Sequence, residues 1–246
     1  MKKFAIIAAV AGAAFAAPVA ATPPNVMTVE DQAFGLSEDE LFVLRTTSDN
    51  LGSYFEARHE TFLVAIALDD GAETYWPVNS VSVTTVFGEE GEDDRRELVR
   101  PDGAGHANPF DILAERGGLP WRAVAPGAGN FITAAFEQDE TSVTVRYEGL
   151  SAFTLGKSDA VARVRSVMDR IAAEVPDYPS TSTVMSSERF ASRMIVPEMC
   201  RYSVNDYAAS PLTYTALQLV QVTCGDGEDL DSNTVLIPVR AEPPER

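Results

Sequence analysis

The sequence predicts an α+β fold, a mostly antiparallel sheet carrying one long amphipathic helix over residues 158–175 with short helices elsewhere. Three observations carry that expectation. The apolar run Thr61–Leu68 is followed by Asp70-Gly71, a strong hairpin turn signal, and by a return segment, Glu73–Val78. A second strand pair follows at Phe131–Phe136 and Thr141–Tyr147. Between Ser158 and Val175, the residues Val161, Val164, Met168, Ile171 and Val175 recur at near-heptad spacing, with Val167 beside them, so they form one apolar stripe. An antiparallel meander and a one-sided helix bury their apolar surfaces best against each other.

The N-terminus reads as an export signal. Lys2 and Lys3 precede an uncharged apolar run, Phe4–Ala17, and Pro18 ends it before the small residues Val19-Ala20-Ala21. That run is too short for a spanning helix, which needs about 20 apolar residues. The expected organisation is therefore a signal peptide over 1–21 and a single α+β domain over 22–246. A sub-boundary is placed at 176–187, where Tyr178–Ser187 is rich in Pro, Ser and Thr.

Along the mature chain, residues 22–36 read as a loosely held arm because Thr22-Pro23-Pro24 resists helix formation. Ser37 and Glu40 have capping-box spacing, so a short helical turn is expected before a strand at Leu41–Thr47. Val81–Phe87 alternates and reads as a third meander strand. Asn108–Gly118 carries full helix punctuation: Asn108 as N-cap, Pro109 at N1, and Gly117 for the left-handed stop. A short helix is expected at Ser187–Met194, and strands at Leu212–Cys224 and Thr234–Val239.

Charge narrows the partners. The full chain has 19 basic and 37 acidic residues; without the leader's two lysines the balance is 17 − 37 = −20. Nucleic acid is excluded as an expected partner because phosphate binding needs a basic surface. No integral membrane segment is expected in the mature chain, and an unknown protein or small molecule remains as partner. Cys200 and Cys224, the only cysteines, are expected to join in an oxidising compartment. The expected location is periplasmic or secreted.

Recognisable chemistry is sparse. No G-x-S-x-G elbow occurs, and His59-Glu60 lacks the second histidine of a zinc protease, since position 63 is Leu63. His59 and His106 are the only histidines, so a histidine mechanism must use one of them. His106, in the Gly-flanked loop before Asn108, is the stronger site candidate. Trp76 and Trp121, with Tyr147, are candidates to line a groove or to fill the core. Of two acidic loops, Gly88–Asp94 has none of the ligand spacing that calcium needs, and Gly225–Asn233 has part of it. The second places Asp229, Asp231 and Asn233 correctly but has Thr234 and Arg240 where glycine and glutamate belong. No metal or cofactor is expected. The functional expectation is a non-catalytic binding or structural role in the envelope. An exported hydrolase using His106 or a carboxylate pair is the alternative, and a weak calcium module the lesser one.

Overall fold

The computed structural model of the chain describes residues 27–49, 56–86, 95–99, 106–124, 134–147, 152–174, 197–209, 216–224 and 233–240. The expected leader 1–21, the boundary at 176–187, the acidic run 88–94, the helix at 187–194 and the loop 225–232 lie outside the described residues.

The described elements are dominated by strands. In chain order they are β1 Met27–Leu36, β2 Glu40–Asp49, β3 Glu56–Ala67, β4 Glu73–Val86, β5 Arg95–Val99, α1 Pro109–Glu115, β6 Leu119–Pro120 and α2 Trp121–Val124. Then come β7 Ala134–Gln138, β8 Ser142–Tyr147, β9 Phe153–Gly156, α3 Lys157–Glu174, β10 Cys200–Ala209, β11 Ala216–Cys224 and β12 Asn233–Arg240. The main sheet runs β10-β11-β12-β1-β2-β3-β4-β5, with β6 paired to β1, and β7-β8-β9 form a separate three-stranded sheet.

This corrects the predicted fold class. The protein is mostly β, not an α+β fold organised by a long helix over 158–175. Its main sheet is mixed, because β1 pairs with β12 in parallel at Val29–Asn233 and Glu30–Thr234. The misreading has a local cause: the polar run Glu30-Asp31-Gln32 in residues 27–36 and the pair Asn205-Asp206 in residues 200–209 break the alternating pattern of a strand, so partners decide their conformation. The helix α3 exists as one cover on this sheet. Its residues Ala160, Val161, Val164, Val167 and Met168 pack on Val220, Val222 and Val235.

The β1–β2 connection is also corrected. Residues 37–40 form a tight turn, not a helical start. The Ser37 N–H donates to the Glu40 carbonyl at 2.9 Å, and the Glu40 N–H donates to Ser37 Oγ at 3.1 Å. The capping-box residues thus close a hairpin, and residues 27–36 are its first strand, not an arm. Likewise the two return strands expected at 73–78 and 81–87 are one continuous strand, β4, with an irregularity opposite Thr61/Phe62.

At residues 41–43 and 63–66 the paired strands β2 and β3 are buried on both faces, which explains the unbroken apolar runs there. Leu41, Val43, Val64 and Ile66 face a cluster closed by Trp121 of α2. Phe42, Leu63 and Ala65 face the other way, onto Leu113 of α1. Helix α1 carries its N-cap as read, with the Phe110 N–H donating to Asn108 Oδ1 at 3.1 Å, and Gly117 takes φ 68°. A Cβ on Gly35 would stand 2.8 Å from the Leu119 carbonyl, so glycine lets β6 approach β1 at that point.

Cys200 and Cys224 are direct cross-strand partners on β10 and β11 and are joined by a disulfide, with Cα atoms 4.1 Å apart. Among the described residues no helix is long and apolar enough to cross a membrane.

Candidate functional site

Two polar features stand out from this framework: a buried charge cluster and an open acidic cleft. The first grows from strand alternation. On β2, Leu41, Val43, Arg45 and Thr47 point to one face, so Arg45 enters the interior two residues after the apolar row ends. Its exposure is 0%. A guanidinium so placed must have every donor engaged, because an unpaired buried charge is very costly.

All five of its N–H groups are engaged. Arg45 Nε donates to Asp31 Oδ1 at 2.7 Å, and Nη2 to Asp31 Oδ2 at 2.8 Å. Nη1 donates to Glu73 Oε2 at 2.9 Å and to the Tyr75 hydroxyl at 2.5 Å, while Nη2 also reaches Glu73 Oε1 at 3.3 Å. The Tyr75 hydroxyl passes its own proton donation to Glu73 Oε2. Asp31 Oδ2 accepts the Leu236 N–H at 3.2 Å, so its side chain extends the short parallel β1–β12 ladder. Arg163 of α3 donates to Glu73 Oε1 at 2.8 Å, and the Arg170 guanidinium lies 3.8 Å over the Tyr75 ring. The cluster therefore joins β1, β2, β4, β12 and α3.

Two arginines, Arg45 and Arg163, balance two carboxylates, Asp31 and Glu73. Burial alone would raise Glu73. The charge and hydrogen bonds of Arg45, helped by Arg163 and Tyr75, outweigh it and hold the carboxyl below its ordinary 4.5. Burial likewise opposes the charge on Arg45, but Asp31 and Glu73 raise its affinity for the proton well above the ordinary value. Burial, with Glu73 close by, keeps Tyr75 protonated far into alkali. A carboxylate pair that works as acid and base has its two affinities pushed apart, with one raised. Glu73 is instead held below its ordinary range by two guanidiniums, as a counter-ion to Arg45 and Arg163.

The second feature is a cleft of about 780 Å³ at the end of the sheet. Glu38, Asp39 and Glu40 reach it from the β1–β2 turn and Asp69 from the end of β3, while Arg116 follows α1 and Arg240 ends β12. The Leu68 N–H donates to the Asp39 carbonyl at 2.8 Å, tying the two turns together. Arg116 Nη1 bonds Glu40 Oε1 at 2.7 Å, and its guanidinium lies 5.0 Å over the Trp76 ring. Four carboxylates thus face two guanidiniums, one of which is already paired with Glu40.

The residues singled out from sequence fall on three different elements and one connection. His59 is half-buried on β3, in register between Ser48 and Val81. His106 is half-buried ahead of α1, where the next residue's N–H (Ala107) donates to the Pro77 carbonyl at 2.7 Å. Trp76 and Trp121 lie on opposite faces of the sheet, the first packed with Phe42 and Leu63, the second 8% exposed beside Leu41 and Val43. Trp76 supports the cleft by carrying Arg116, and Trp121 belongs to the core.

Neither the buried cluster nor the cleft was singled out from the sequence. Arg45 sits in Leu44-Arg45-Thr46 like any strand-end charge, and its partners are 14 and 28 residues away. One signal was present: a period-two row, Leu41 and Val43, that points Arg45 to the same face. Compared with protein families, curated proteins and solved structures, the chain finds no match.

Proposed function

We propose that this chain is an exported envelope protein that binds, without catalysis, a ligand or partner presenting cationic groups in the Glu38–Asp69 cleft. The observation that carries the reading is the contrast between two sets of carboxylates. Asp31 and Glu73 are buried and consumed by Arg45, whereas Glu38, Asp39 and Asp69 line a concave surface of ligand-binding size. The mature net charge of −20 would draw a cationic partner toward this rim over long range. Export is supported by the leader pattern of residues 1–21 and by the disulfide.

Calorimetric titration of the mature chain with spermidine and with a tetra-arginine amide tests it. Binding should weaken on raising salt from about 20 to about 200 mM, since rim charges are screened over roughly a Debye length. It should be lost in the double variant Glu38→Gln, Asp69→Asn. Binding that ignores those substitutions, or none to either probe at low salt, would refute the reading.

A further inference from the structure

The three-stranded sheet has an edge unlike the others. Phe136 of β7, Val145 of β8 and Phe153 of β9 form one cross-strand row on one face. Val145 and Phe153 are 0% and 1% exposed, yet Phe136 is 42% exposed. The apolar row runs off the sheet. Each of the main sheet's edge strands carries a device that discourages pairing. β5 is charged at Arg95, Arg96 and Glu97, and β10 has an irregularity between Val204 and Asp206. β9 is four residues long and lies against β12. β7, Ala-Ala-Phe-Glu-Gln, has no proline, no lysine and no bulge, and no second neighbour among the described residues.

The backbone groups of β7 that bond none of the described residues can be placed. The Asp139 N–H donates to the Ser142 carbonyl on the β7 side of β8, and the Lys157 N–H to the Thr141 carbonyl on the β9 side. Alternation then pairs Ala135 and Glu137 with Arg146 and Thr144, and turns the N–H and C=O groups of Ala134, Phe136 and Gln138 outward.

We infer that β7 is a self-association edge, at which a second copy of this chain adds antiparallel about a two-fold axis at Phe136. Three features favour a second copy as the occupant. Phe136 is the central residue of the strand, so the axis pairs it with itself and joins the two truncated rows into one across six strands, with an aromatic cross-strand pair at the middle. The outward groups of Ala134 meet those of Gln138 of the second copy. On the opposite face, Glu137 lands beside Ala135 of the other copy and never opposite another Glu137. Arg146, already 3.6 Å from its own Glu137, then has a second carboxylate across a methyl side chain. Five-residue strands form an interface at the small end of the range, below about 1,200 Å², so the dimer is weak and concentration-dependent.

Sedimentation velocity on the mature chain from about 1 µM to about 1 mM spans the affinities expected of so small an interface. The monomer should give way to dimer within that range. Phe136→Lys should stay monomeric throughout while keeping the wild-type melting temperature within a few degrees, because the side chain is already half exposed. Ala134→Pro, which removes only an outward donor, should weaken the dimer independently. Under mild oxidation Phe136→Cys should cross-link into a covalent dimer, since self-paired Cα atoms would stand about 5.5 Å apart. Glu137→Cys, as exposed but displaced along the strand, should not. A wild-type monomer at every concentration, a dimer indifferent to Phe136→Lys, or equal cross-linking of the two cysteine variants would each overturn the inference.

Discussion

The two flanks of the β12–β1 junction are held together by opposite means. On one side, β10 is fixed to β11 by the Cys200–Cys224 bond between register partners. On the other, β1, β2, β4 and α3 converge on Arg45 and two carboxylates. The covalent tie joins neighbours that the ladder already pairs. The ionic one starts the same way, between the β1–β2 register partners Asp31 and Arg45, but reaches on to β4 and α3, and Asp31 also takes the Leu236 N–H beside the short parallel ladder. The comparison teaches where each device is suited: a disulfide secures an edge strand against peeling, while a forked guanidinium organises a junction from several directions at once. It also separates their sensitivities, one to reductant and the other to pH.

The sharpest way to break the comparison is to remove Arg45. Arg45→Met leaves Asp31 and Glu73 buried without their cation and should cost about 3–5 kcal/mol in urea unfolding. The triple variant Arg45→Met, Asp31→Leu, Glu73→Leu should recover much of that loss, because a matched apolar set removes the unpaired charges as well. No recovery would mean that the Asp31–Leu236 bond, not the charge balance, carries the junction.

Opening the disulfide comes next. Cys200→Ser with Cys224→Ser, or reduction of the unfolded chain before refolding, frees a segment with a sequence separation of 24. The expected loss is roughly 3–4 kcal/mol. Near the edge, amide exchange on β10 should accelerate far more than on β2 and β3.

Acid should discriminate between the flanks with a smaller effect. Glu73 has a folded affinity below its ordinary value of 4.5, so its contribution is complete above that pH and is lost as pH falls through the lowered value. Urea midpoints should therefore fall below about pH 4.5 in the wild type. In Glu73→Gln that part of the decline should be missing, whereas in the disulfide-free double variant it should persist. An identical pH profile in Glu73→Gln would assign acid sensitivity to other carboxylates.

The outer arm of the cluster is the weakest. Arg163 is 22% exposed, and Arg163→Gln should cost under about 1 kcal/mol. A comparable small effect is expected at Asp139, in the β7–β8 turn. The backbone N–H groups of Thr141 and Ser142, with their hydroxyls, hold its carboxyl at about 2. Asp139→Ala should lower the melting temperature slightly, and the wild type should lose that increment only as pH drops from 3.8 toward 2.

What the residues determined by themselves was local or covalent. The apolar strand run Thr61–Ala67, the Asp70-Gly71 turn, the Asn108 cap and the Gly117 stop are short-range choices, so their signals lie within a few residues of each other. The cysteine pair was legible because only one pairing exists. What the tertiary structure decided was everything that required a distant partner. Residues 27–36 carry the run Glu30-Asp31-Gln32, which hides any apolar alternation, yet β2 and β12 supply their bonds. The capping-box pattern Ser37–Glu40 fits a helix start and a hairpin turn alike, and the β1–β2 ladder selects the turn. Balance between helix and sheet followed from those pairings, which is why the fold is mostly β. Arg45 is the plainest instance: a charge is hydrated by default, and only the convergence of Asp31, Glu73 and Tyr75 makes its burial affordable.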